Sequence, residues 1–134
     1  MAKPQKFKER LAKYTSLLEE IRIEERRKEA LATGDGLIQR RALAGVCDEL
    51  RALLDKEAAE YEELVKIINQ VPHVAERQVL MARYMDGRTW PEITKTIYGT
   101  RKDYQEKQQS YMRRIYRIHG SGLLMANKIM LHDN

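Results

Sequence analysis

Apolar residues recur every three or four positions from residue 43 to residue 71, with one interruption at Glu57. Steps of four and three place side chains on one face of an α-helix, and a series of about four heptads is typical of a helix that packs against another helix. Pro72 ends the series, because proline cannot continue a helix without losing a hydrogen bond. The series is Leu43, Cys47, Leu50, Leu54, Glu57, Tyr61, Leu64, Ile68 and Val71.

A similar apolar stripe lies nearer the N-terminus, and a glycine-containing segment separates the two. The segment TGDG, residues 33–36, predicts a turn because two glycines so close together weaken a helix. We therefore predict an antiparallel helical hairpin over residues 1–72. Two amphipathic helices bury little surface alone, so we expect a homo-oligomer, preferably a dimer, through this region. The first stripe is Phe7, Leu11, Tyr14, Leu18 and Ile21.

The composition favours an all-α, intracellular protein. Charged residues make up 34% of the 134 positions, and there are only 7 glycines and 3 prolines. The single cysteine, Cys47, cannot form an intramolecular disulfide, which fits a reducing compartment. An apolar run of about 18 residues is missing from the sequence, so we expect no membrane segment and a soluble cytoplasmic protein.

The excess of basic over acidic residues lies entirely in the C-terminal half. Residues 1–72 contain 14 Lys and Arg against 14 Asp and Glu, whereas residues 73–134 contain 11 against 6, which accounts for the net charge of +5. This separation indicates two functions in one chain, with a nucleic-acid-binding surface in residues 73–134.

The segment GRTWPEITKTIYG, residues 87–99, encodes a short helix with a defined start. Thr89 and Glu92 match a capping box, and a proline in the first helical turn costs nothing because its missing N–H has no partner there. So short a helix needs packing, which Trp90, Ile93 and Ile97 can supply from one face. A helix over residues 73–85, stopped at Asp86-Gly87, precedes it and completes a helix-turn-helix arrangement.

A third, basic helix is predicted to begin at Thr100 with another Thr-x-x-acid start. Its outer face would suit the major groove of DNA, since Arg can bind guanine, Gln can bind adenine, and Lys, Arg and Thr can bind phosphates. A solvated basic helix surface is the alternative interpretation. The predicted DNA-contacting residues are Arg88, Thr89, Thr100, Arg101, Lys102, Gln105, Gln109, Met112, Arg113, Arg114, Tyr116 and Arg117.

Part of the sequence resembles a known family. ERQVLMARYMDGRTWPEI, residues 76–93, resembles the region-4 helix-turn-helix of sigma-70 factors. Together with RRIYRIHGSGL, residues 113–123, it is similar to the ArpU/RinA-like transcriptional regulators of phages of Gram-positive bacteria. The resemblance implies a coiled-coil N-terminal half, a DNA-binding C-terminal half, and groove-facing residues at 112–114. It also places His119 and Gly120 at the end of the recognition helix, with His119 capping or packing there.

The spacing differs from that family. About eleven surplus residues lie between the short helix and the matched end of the recognition helix, which corresponds to about three helical turns. Either the recognition helix is longer, or TRKDYQEKQQS, residues 100–110, forms a loop. The assignment of base-reading residues depends on which of these two alternatives is correct. Arg113, Arg114 and Arg117 are better candidates for contacts with base edges than Arg101 and Lys102.

The sequence carries no recognisable catalytic or metal-binding motif, so we expect a non-enzyme without cofactor or metal. The leading hypothesis is a phage or prophage transcriptional regulator, of the late-gene activator type, that binds double-stranded DNA and acts beside RNA polymerase in the cytoplasm of its bacterial host, at the nucleoid. The first alternative is a DNA-recognition subunit for phage packaging, similar to a small terminase subunit. The second is a helical adaptor that binds protein only.

Overall fold

The computed structural model describes residues 6–132, and its fold is all-α, as predicted. A π-helical turn, Met81–Met85, continues α3 without a break. Within residues 6–132, none of the helices is long and apolar enough to cross a lipid bilayer. The five helices are α1, Phe7–Ala32; α2, Leu37–Asn69; α3, Val74–Leu80; α4, Trp90–Tyr98; and α5, Gln108–His132.

The chain forms two compact units. The first is a helical hairpin over Glu9–Glu62, and the second contains the described parts of residues 1–8 together with residues 63–132. In the hairpin, α1 and α2 pack antiparallel, and the turn over residues 33–36 joins them. Both features confirm the sequence predictions. The assignment of separate functions to residues 1–72 and 73–134 stays a prediction.

The buried stripe of the hairpin is displaced from the predicted one. Leu17 is buried in α1 whereas Leu18 is only half-buried, so the prediction for Leu18 was wrong. The hairpin core consists of Leu17, Ile21, Val46 and Leu50, and Leu31 and Leu53 pack against it. Cys47, Leu54 and Tyr61 of the predicted series are not in the core, because they lie beside the row of α2 that faces α1.

The second unit is organised around α5. Val79 of α3, Ile93 of α4 and Ile115 of α5 form its central cluster. The C-terminal half of α5 packs closely on α3, where a Cβ added at Gly122 would lie 3.3 Å from the Leu80 Cδ1 atom. The Phe7 amide donates a hydrogen bond of 2.9 Å to the Asn127 side chain, which joins the first residues of α1 to this unit.

Gly87 makes the predicted turn between the π-helical turn and α4. Its φ of 67° lies in the left-handed region, and it is the only described residue with a positive φ. A left-handed conformation costs a residue with a side chain about 1–2 kcal/mol, so glycine is favoured here.

Replacing Gly87 by alanine is expected to lower the free energy of unfolding by about 1–2 kcal/mol. The loss would come from the backbone alone, because no described atom lies within 4 Å of the position that a Cβ would take. Gly87→Asn is the control, since asparagine tolerates the left-handed conformation better than alanine. An equal loss of unfolding free energy in the two variants, measured by urea denaturation, would contradict this explanation.

Candidate nucleic-acid interface

The start of α4 is fixed by the predicted capping box. The Thr89 hydroxyl accepts a hydrogen bond from the Glu92 amide at 3.3 Å, and the Glu92 carboxylate accepts one from the Thr89 amide at 3.2 Å. Hydrogen bonds from Thr89 hold the pKa of the Glu92 carboxyl below its ordinary value. Pro91 occupies the first turn, as predicted. The entry of the chain into α4 is therefore defined by local interactions.

Trp90 connects α4 to the elements on both sides of it. Its ring packs edge-on against Tyr116 and His119 of α5, with centroid distances of 5.2 and 4.8 Å. The Arg83 guanidinium lies over the same ring, 4.7 Å from its centroid, and donates a hydrogen bond to the Arg88 carbonyl. Sequence reasoning gave Arg83 no role, because a cation over a ring depends on tertiary placement. Trp90 thus holds α4 against α5, as its position in so short a helix predicted.

His119 does not lie at a helix end, and that expectation was wrong. Helix α5 continues through Gly120 to His132, because packing of its second half on α3 outweighs the cost of helical glycines. The His119 Nε2 atom lies 2.6 Å from the Tyr84 hydroxyl, and the two rings are stacked. Burial and the nearby Arg83 and Lys8 charges lower the pKa of His119, and burial raises the pKa of Tyr84.

The lowered pKa of His119 predicts a loss of stability in acid. Because the unfolded chain takes up the proton at a higher pH, about 6.5 for free histidine, the stabilising contribution is complete above that pH. It is lost as the pH falls through the folded-state pKa. Urea denaturation from about pH 8 to about pH 5 should show this loss in the wild type and a smaller one in His119→Phe. His132→Gln, at an exposed histidine, is the control. If the free energy of unfolding falls with pH as steeply in both variants as in the wild type, His119 is not the cause of the loss.

The segment between α4 and α5 is not helical. Helix α5 begins at Gln108, so the predicted helix start at Thr100 was wrong and the loop alternative is correct. Residues 99–106 form successive turns, in which the Arg101 amide bonds to the Tyr98 carbonyl and the Tyr104 amide to the Arg101 carbonyl. The Asp103 carboxylate accepts a hydrogen bond from the Tyr111 hydroxyl of α5 instead of capping a helix at residue 100.

Three tyrosines hold this segment in place. Tyr98 and Tyr104 stack on Tyr111, with centroid distances of 4.7 and 6.0 Å, and we call this group the tyrosine stack. The hydrogen bond from Tyr111 lowers the pKa of the Asp103 carboxyl, which also pairs with Lys107 at 3.6 Å. The segment is therefore a loop that packs on Tyr111 and fixes the residue at which α5 begins.

The outward face of α5 is polar and basic. Tyr111, Ile115 and Gly122 are buried toward the unit's core. Residues two positions away from a buried residue project to the opposite side of a helix. In the first half of α5, Gln109, Arg113 and Arg117 are each two positions from Tyr111 or Ile115 and are exposed on that outward side, and exposed Tyr116 lies beside them.

Two further arginines lie beside this face on the tyrosine stack. The Arg114 guanidinium is 5.2 Å from the Tyr111 ring centroid, and the Arg101 guanidinium is 5.8 Å from the Tyr98 centroid. Arg114 and Arg117 also line a shallow depression of about 340 Å³ with Tyr98. Stacking on rings restricts these side chains while leaving their charge at the surface.

The other predicted contact residues occupy three places. Arg88 and Thr89 lie exposed at the start of α4, where Arg88 pairs with Glu92 at 3.5 Å. The turns after α4 carry exposed Thr100, Arg101, Lys102 and Gln105, and Met112 is half-buried on α5. Sequence reasoning missed Gln108, which is exposed in the first turn of α5, because it placed that helix start eight residues earlier.

No known protein family, curated protein or solved structure matches the chain.

Proposed function

We propose that the protein is a sequence-specific, double-stranded-DNA-binding transcriptional regulator of a phage or prophage, acting in the host cytoplasm without catalysing a reaction. The observation that carries the proposal is the exposed basic face of α5, opposite the buried side of the same helix. An α-helix fits the major groove, and arginine on such a helix can bind guanine through two hydrogen bonds.

The geometry supports different roles for the exposed residues. Arg113 lies centrally on the outward face of α5, with exposed Gln109 and Tyr116 to one side of it, so we assign these three residues to base edges. Arg101 and Arg114 are stacked on tyrosines beside that face, and we assign them, with Lys102 and Arg117, to phosphates. Phosphate contacts position a protein on the duplex, whereas base contacts specify the sequence.

The hairpin has a different role in this proposal. Residues 1–72 carry no net charge and would not be attracted to phosphates, so we assign them to self-association or to contact with another protein. The resemblance of residues 76–93 to a sigma-factor segment supports action beside RNA polymerase.

Selection of bound sequences from random duplexes tests the proposal. The full-length protein is expected to enrich one sequence motif over successive rounds at moderate salt. Recovery of unenriched random sequence would contradict sequence-specific binding. A duplex carrying the enriched motif then serves as the probe in all further binding experiments.

The salt dependence of binding to that duplex tests the phosphate contacts. Each phosphate contact is expected to contribute about −0.9 to the slope of log affinity against log salt concentration, because it releases counterions. Replacing Lys102 by alanine should reduce the slope by about 1 and weaken binding to matched and mismatched duplexes alike. A Lys102→Ala variant with the wild-type slope would remove Lys102 from the interface.

A further inference from the structure

One side of the hairpin carries an open groove with apolar walls. It has a volume of about 670 Å³ and lies between the two helices of the Glu9–Glu62 unit. Its apolar members include Leu50, Leu54 and Cys47, and its rim carries Glu25, Lys28 and Arg51. Leu54 is 50% exposed although it belongs to the predicted apolar series of α2, so its apolar surface is not covered within the hairpin.

The groove follows a second apolar seam on α2. Cys47, Leu54 and Tyr61 are spaced by seven residues and lie on one side of the helix, beside the row that faces α1. The core uses Val46 and Leu50 instead, and leaves Cys47 half-buried and Tyr61 38% exposed. Such a seam beside an already packed face is typical of a helix that contacts two neighbours, as in a four-helix bundle.

The hairpin core buries little apolar surface and leaves the second seam uncovered. Six apolar side chains of the Glu9–Glu62 unit are buried, and an isolated core in a unit of this size rarely supplies more than about 3–5 kcal/mol. A second hairpin laid along the groove would cover Leu54 and Tyr61 and turn two helices into four. Burial of this second seam would supply the apolar area that the hairpin lacks.

The charges around the groove favour a second copy over nucleic acid. α1 contributes Glu25, Lys28 and Glu29, and α2 contributes Arg51 and Asp55, so both walls carry both signs. A two-fold interface brings the same patch together with itself and therefore needs acids and bases in one patch. Acidic residues outnumber basic residues in the groove, which disfavours the binding of phosphate groups and therefore of nucleic acid.

We infer that the Cys47–Leu54–Tyr61 seam, with the groove beside it, is a homodimerisation surface that pairs two hairpins into a four-helix bundle. The inference rests on the part of the proposed function that assigns self-association to residues 1–72. Its test contains no DNA, so a failure here and a failure of DNA binding are distinguishable.

Sedimentation equilibrium of the full-length protein over a range of concentrations, without DNA, measures the association. The wild type is expected to be a dimer, and Leu54→Glu is expected to raise the dimer dissociation constant by at least about 100-fold, because it places a charge in an apolar contact. Ile23→Glu is the matched control. Ile23 is 53% exposed, on the same hairpin, but two residues before Glu25 and hence on the opposite side of α1.

The reaction of Cys47 with a thiol reagent gives a second readout that needs no variant. Cys47 is the only cysteine, so its modification rate should fall as the wild-type concentration rises through the dimer range. Circular dichroism confirms that Leu54→Glu keeps its helices. A monomeric wild type, a dimer that survives Leu54→Glu, an equal loss in Ile23→Glu, or a concentration-independent thiol rate would each overturn the inference.

Discussion

The Arg113→Ala, Arg114→Ala double variant is expected to bind the selected duplex about 100-fold more weakly than the wild type and to discriminate poorly against mismatched duplexes. Arg113 projects from the outward face of α5, and Arg114 is held beside it on the Tyr111 ring. The variant therefore removes one group that we assign to base edges and one that we assign to phosphates. Fluorescence anisotropy with matched and single-mismatch duplexes measures both effects.

The hairpin offers a matched control for this variant. Arg40 and Arg41 are also adjacent, exposed and helical, but they lie on α2 in the first compact unit. Arg40→Ala, Arg41→Ala removes the same charge and should change affinity only slightly, because neither arginine belongs to the proposed interface on α5. Equal losses in the two double variants would show that net charge rather than α5 governs binding.

Gly122→Leu is expected to lower the free energy of unfolding of the second unit by about 2 kcal/mol or more, because it overfills the contact between α3 and α5. A Cβ at this position would lie 3.3 Å from the Glu76 Cβ and 3.3 Å from the Leu80 Cδ1. Both neighbours are buried, so neither can move out into solvent. Urea denaturation followed by circular dichroism measures the loss.

Gly120 provides the control on the same helix. It is exposed, and no described atom lies within 4 Å of the position that its Cβ would take. Leucine has a higher helix propensity than glycine, so Gly120→Leu should raise the free energy of unfolding by about 0.5–1 kcal/mol. A loss at position 120 like that at position 122 would show that helical leucine is unfavourable in α5 for a reason other than the contact with α3.

The local features of the fold could be predicted because they are encoded by neighbouring residues. The turn at residues 33–36 depends on two glycines, and the start of α4 on Thr89, Pro91 and Glu92. Apolar spacing was sufficient to predict an all-α chain with a long hairpin. In each case the residues that determine the feature lie within a few positions of it.

The errors concern features that depend on distant contacts. Spacing alone cannot distinguish Leu17 from Leu18, since both lie near the same helix face and the neighbouring helix decides. Thr100 and Asp103 have the pattern of a helix start, but Asp103 is hydrogen-bonded by Tyr111, eight residues later. The contacts of His119 with Tyr84 and Trp90 depend on how three helices meet, which no local pattern specifies.

The contact between Tyr98 and Tyr111 joins the end of one helix to the first turn of the next. Tyr98 and Tyr111 contact each other directly, and Tyr104 and Asp103 anchor the intervening residues to Tyr111. Insertions or deletions at the exposed tip near Gln105 and Glu106 should leave these contacts in place. Exchange of that tip is therefore a route for changing what the protein contacts beside the proposed binding surface.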